Sequence, residues 1–149
     1  MLYATAGCRL FIAASSTTLP TGGWIEIGET EAFGLLGGSW ETLDGTRVGS
    51  VLQDGTPARE TLKGIYLPGS MQIILGNDPE DAGQALLWRA FRDRVGLYPF
   101  RLLWPDGAKD RQWLARVTAL FEVYDAANAV MKLQADLLPA SKIWRSEET

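Results

Sequence analysis

The chain has 149 residues, 46% of them hydrophobic, with six Trp, five Phe and four Tyr, enough to build the core of one domain spanning 1–149 without disulfide or metal staples. One cysteine and no histidine exclude an intrachain disulfide, the usual zinc ligand sets and every histidine-based catalytic triad. Eighteen acidic against fourteen basic side chains give a net charge of −4, the wrong sign for a sequence-independent grip on phosphates, and no apolar run reaches the roughly 18 residues that span a bilayer.

Along the chain, period-two alternation dominates. A first strand is expected over residues 7–14, with Cys8 buried in it as a small apolar side chain rather than a reactive thiol. Residues 15–23, SSTTLPTGG, read as irregular, and a short strand follows over 24–27. Further strands are expected over 38–42, 58–66 and 71–75. Residues 45–60 carry Gly, Asp-Gly and Pro punctuation around Val48 and Val51, the pattern of a long β-arm or loop turning near Asp54-Gly55. An arm of that length in so small a domain is expected to reach for a partner.

Residues 78–95 break the alternation. Asn77 or Asp78 can cap a helix there, Pro79 suits its first turn, and Gly96 can end it. Leu87, Trp88, Phe91 and Val95 then form an apolar stripe expected to face the core. Strands resume around Phe100, Leu102 and Trp104. The longest runs over 113–124, with Trp113, Ala115, Val117, Ala119, Phe121 and Val123 on one face. A connection at 125–128 leads to a last strand containing Met131, Leu133, Ala135 and Leu137. The fold class expected is mainly β with one flanking helix.

Few residues offer chemistry. Glu26, Glu29 and Glu31 lie close enough in sequence to suggest a carboxylate pair, and Asp44 is a further candidate for a hydrolase, but nothing else marks a sugar cleft. The GLLGG of residues 34–38 lacks the Lys-Ser/Thr of a phosphate loop, and no helix follows it. PDGAKD, residues 105–110, lacks the register and closing Glu of a calcium loop and reads as a hairpin turn. No cofactor and no metal are expected, and assembly is favoured over catalysis. A small-molecule-binding β-barrel is the alternative, supported by the aromatic content and the glycine-rich stretch.

Several motifs, taken in order, resemble the tail tube protein (major tail protein) family of long-tailed bacteriophages, related in fold to type VI secretion tube proteins. They are Trp24-x-x-Ile27-Gly28-Glu29, Leu43-Asp44-Gly45-Thr46, Leu67-Pro68-Gly69, Asp78-Pro79-Glu80-Asp81-Ala82-Gly83-Gln84-Ala85 and Pro105-Asp106-Gly107. A long strand with Val117-Thr118 and a last strand ending near Ala140-Ser141 complete the order. The resemblance implies two packed β-sheets forming a sandwich or partial barrel with one helix. It also implies six-membered rings stacked into a hollow tube in a virion tail, assembled in the host bacterial cytoplasm. A tape-measure protein and a tail terminator or tip protein would be partners, and DNA would pass through the lumen without specific binding. Contacts between subunits and rings are expected at Asp44, Thr46, Arg47, Asp54, Arg59 and Glu60.

Overall fold

A computed structural model describes residues 1–44, 55 and 61–147. In chain order the elements are β1 (Arg9–Ile12), β2 (Ile25–Ile27), β3 (Thr30–Ala32), β4 (Gly38–Asp44), β5 (Thr61–Pro68), β6 (Met71–Gly76), α1 (Ala82–Arg92), β7 (Tyr98–Leu103), β8 (Asp110–Val123), β9 (Lys132–Pro139) and β10 (Trp144–Arg145). The mainly β class with one helix holds. β3 and β10 escape a periodicity search because two or three residues are too few to show a period.

The main sheet runs in the order β2-β1-β7-β8-β9-β6-β3, with β10 beside β8, and every pairing is antiparallel. Its two end strands, β2 and β3, are separated in the chain only by Gly28 and Glu29. A path whose ends meet within two residues must curl back on itself, which yields the partial barrel. β8 completes the curl: Asp110 to Ala115 pair with β7, while Ala115 to Val123 pair with β9. The two expected layers are therefore halves of one continuous sheet, and a separate two-stranded ribbon, β4-β5, leaves it. Leu10, Ile12 and Phe100 from one half share a single core with Ile73, Leu75 and Leu133 from the other, around the buried Trp113.

The alternation read for residues 113–124 fails midway. Val117 pairs with Leu137, but Ala119 pairs with Asp136, so Thr118 is an extra residue whose hydroxyl donates to the Asp136 carbonyl at 3.3 Å. One inserted residue turns every later side chain to the opposite face. Leu120 is consequently buried and Phe121 stands 59% exposed.

The helix is also shorter than the sequence suggests, Ala82–Arg92 rather than 78–95. Asp81, not Asn77 or Asp78, is the N-cap, and Pro79 and Glu80 form a turn before it. At the other end the Asp93 carboxylate accepts from the Val95 and Gly96 amides, at 3.1 and 2.9 Å, and those bonds lower its pKa. The inward face is Gly83, Gln84, Leu87 and Ala90. Small residues at positions 83 and 90 let the helix sit close and rotate the expected stripe outward. Leu87 is fully buried and Trp88 partly so, but Phe91 is 38% and Val95 79% exposed. Leu87→Ala should therefore destabilise by about 2–5 kcal/mol, whereas Phe91→Ala, which removes a partly exposed ring edge-on to Trp88, should cost about 1–2 kcal/mol; chemical denaturation measures both.

Candidate assembly interface

The three neighbouring glutamates do not form an acid–base site. Glu26, on β2, receives a two-pronged contact from Arg9, Nη2 to Oε1 at 2.7 Å and Nε to Oε2 at 3.0 Å. These bonds hold its carboxyl below the usual range, so it is a poor proton donor near neutral pH. Glu31, on β3, pairs instead with Lys132 at 3.0 Å. Glu29 forms the corner between the two strands, in the left-handed region at φ 61°. Among the described residues no three acidic or thiol side chains gather as a metal site. Cys8 lies just before β1 and is half-buried, and burial raises its thiol pKa, as suits an unreactive group.

The motifs that carried the resemblance meet in space. Gly28, from the first, donates its amide to the Asp81 carboxylate, which also caps the helix by accepting from Gln84 N. A Cβ on Gly83 would stand 2.2 Å from the Glu26 carbonyl oxygen, so only glycine lets the helix rest on β2 there. Gly69, after Leu67-Pro68, donates to the Gly37 carbonyl at 2.8 Å and ties off the root of the ribbon. Pro105-Asp106-Gly107 closes the β7–β8 turn, where the Asp106 carboxylate accepts from the Ala108 and Lys109 amides. GLLGG thus forms the root of the ribbon, not a phosphate cradle.

The ribbon itself is the largest departure from a closed domain. Apart from half-buried Gly64, all its strand residues are exposed. Cross-strand pairing sorts its side chains into two faces. Trp40 and Tyr66 pair with ring centroids 5.1 Å apart, and the Lys63 ammonium lies 5.4 Å from the Trp40 ring. That aromatic face and the segment 139–143 line a cleft of about 580 Å³. On the opposite face Leu43 pairs with Leu62, and Ile65 and Leu67 continue the row. These four aliphatic side chains are each about half exposed or more. A two-stranded ribbon is marginal in water on its own, and an aliphatic row on one marks a contact surface.

Of the contact residues expected from the sequence, Asp44 ends β4 opposite Thr61 and is exposed. Thr46, Arg47, Asp54, Arg59 and Glu60 lie outside the described residues. Gly55 has φ 89°, and the turn and arm expected around it otherwise lie outside the described residues. Sequence reasoning missed Leu43, Leu62, Ile65 and Leu67. Their signal was apolar residues on both faces of two adjacent strands, with no third strand among the described residues to cover them.

No family model matches the sequence, and no curated protein does. Solved structures do. A chain of the anti-feeding prophage baseplate, symmetrised six-fold, superposes with a TM-score of 0.69 at 11% identity over 99% of each chain. A chain from the tail of an empty GTA particle, refined with C6 symmetry, gives 0.66 at 17% identity over 96% of this chain and 98% of that one. The SPP1 tail tube protein gives 0.65 at 10% identity over 99% and 80%. The fold is that of tail tube proteins, as the motifs implied.

Proposed function

We propose that this chain is a structural subunit of a phage tail tube, in which six copies close a ring, rings stack into a hollow tube, and the viral genome passes through the lumen. Its role is architectural rather than catalytic, and its place is the virion tail after assembly in the host bacterial cytoplasm. The observation that carries this is the exposed ribbon on a fold shared with tube and tail structures. An aliphatic row that nothing among the described residues covers needs a neighbour. Asp44, Thr46, Arg47, Asp54, Arg59 and Glu60 lie between Leu43 and Leu62 of that row in the chain and would extend the contact between subunits or rings. A tape-measure protein inside the tube and a terminator at its end complete the set of partners.

The sheet surface supports passage of a polyanion without capture. Arg9 is held by Glu26 and Arg101 by Asp110, at 2.7 and 2.6 Å, on the outward side of β1 and β7. Guanidiniums already engaged by carboxylates have less to offer a phosphate. Negative-stain microscopy and sedimentation of the purified protein at rising concentration test the reading. Rings or tubes are expected; a monomer at every concentration would sink it.

A further inference from the structure

The cations of this chain are unevenly satisfied. Arg9, Arg101, Lys109, Arg111 and Lys132 each contact a carboxylate. By contrast, Arg89, Arg92 and Arg94 form no ion pair with any described carboxylate. Arg92 lies 5.9 Å from the Trp88 ring, and Asp93 among them is taken up by the amides of Val95 and Gly96 and the Tyr98 hydroxyl. Phe91 and Val95 are exposed between these arginines. The result is an apolar spot ringed by positive charge on a chain of net charge −4.

Its counterpart stands at the other end of the helix. Asp78 and Glu80 precede the helix, and Asp125 follows β8. Asn77 donates to Glu122 at 2.9 Å, which fixes the helix approach to the end of β8. Tyr124 and Met131 are exposed beside these acids, at 65% and 56%. This is again an apolar spot ringed by charge, here negative. The two patches meet at a cleft of about 430 Å³ whose walls include Trp88, Arg92 and Glu122.

We infer that these patches are the two sides of one contact between copies, the basic end of the helix of one copy seating on the acidic end of another. The inference rests on the subunit reading above and adds a surface to it that is separate from the ribbon. Opposite charge around apolar centres fixes the partner and the register of the contact between the two copies. Duplex DNA fits less well, because Glu122 in the cleft wall and Asp78 and Glu80 beside it would repel phosphates.

Charge reversal tests it. Arg89→Glu with Arg92→Glu and Arg94→Glu reverses one patch, and Glu80→Lys with Asp125→Lys reverses the other; all five side chains are exposed. Each variant should keep the parental circular dichroism and melt only a few degrees lower, because Arg89 and Arg92 in the last turn and Glu80 before the first complement the helix dipole. In sedimentation each should need at least about tenfold more protein to assemble, since several rim charges act together. An equimolar mixture should assemble near the parental concentration, because each variant then presents the complement of the other. Parental assembly of either variant alone overturns the contact, as does a mixture that stays dissociated. So does a basic-patch variant whose only change is lost retention of duplex DNA. A parent that stays monomeric throughout overturns the subunit reading itself.

Discussion

Replacing Leu43, Leu62, Ile65 and Leu67 together by Thr should leave a folded, soluble monomer that does not form tubes. These side chains are about half exposed or more and none belongs to the core cluster, so the melting temperature should move by no more than a few degrees. In a tube each would lose its remaining contact with water, worth about 1 kcal/mol apiece at the usual area coefficient. Four such losses sum to about 4 kcal/mol, or roughly a thousandfold in the association constant. Thr keeps the strand preference of the ribbon and removes only the apolar surface, which separates this effect from loss of the hairpin. The measurement is tube length and critical concentration by microscopy and sedimentation, alongside thermal melting. Tubes at the parental concentration would mean the row faces solvent in the assembly. A monomer that melts far below the parent would mean that the ribbon packs on its own domain.

The sequence exposed the elements better than their faces. Long strands such as β8 and β9 announce themselves by alternation, yet their faces depend on register. The single extra residue at Thr118, invisible in composition, moved Phe121 outward and Leu120 inward. The helix was visible from Leu87 and its neighbours, but its buried side was set by Gly83 and Ala90, small residues that a hydrophobicity pattern scores as weak. Close approach, not apolar content, chose that side. The corner at Gly28-Glu29 was legible only as a motif. Its physical cause is a contact with Asp81, 53 positions away, which no local pattern encodes. Likewise the exposure of the ribbon follows from topology. β4 and β5 look like ordinary strands until the sheet order sets them apart as a two-stranded ribbon with no further strand beside it among the described residues.

The corner where β2, β3, β6 and α1 meet should be the most sensitive point of the fold. Gln84 is 2% exposed, and its amide donates to the carbonyls of Gly76 and Gly28 at 2.8 and 3.1 Å while its oxygen accepts from the Asp78 amide at 3.0 Å. Gln84→Ala strands three backbone groups and should cost about 3 kcal/mol, at about 1 kcal/mol for each lost bond. Gln84→Glu keeps the shape and is more informative. An ionised carboxylate cannot donate to two carbonyls and would face their negative ends, so this variant should be destabilised at pH 7 by at least as much as the alanine. Burial against those oxygens would raise the folded-state pKa of the new carboxyl above its unfolded value of about 4.3. A carboxyl with a raised folded pKa favours folding when protonated. The deficit relative to the parent should therefore be full above the folded pKa and shrink as the pH falls through it towards about 4. Denaturation of parent and variant at matched pH values, compared as differences, isolates this from the general acid sensitivity of the chain. A deficit below about 1 kcal/mol at pH 7, or one that does not change with pH, would show that water replaces the bonds of Gln84 and that the corner is held by Gly83 packing and the Asp81 cap instead.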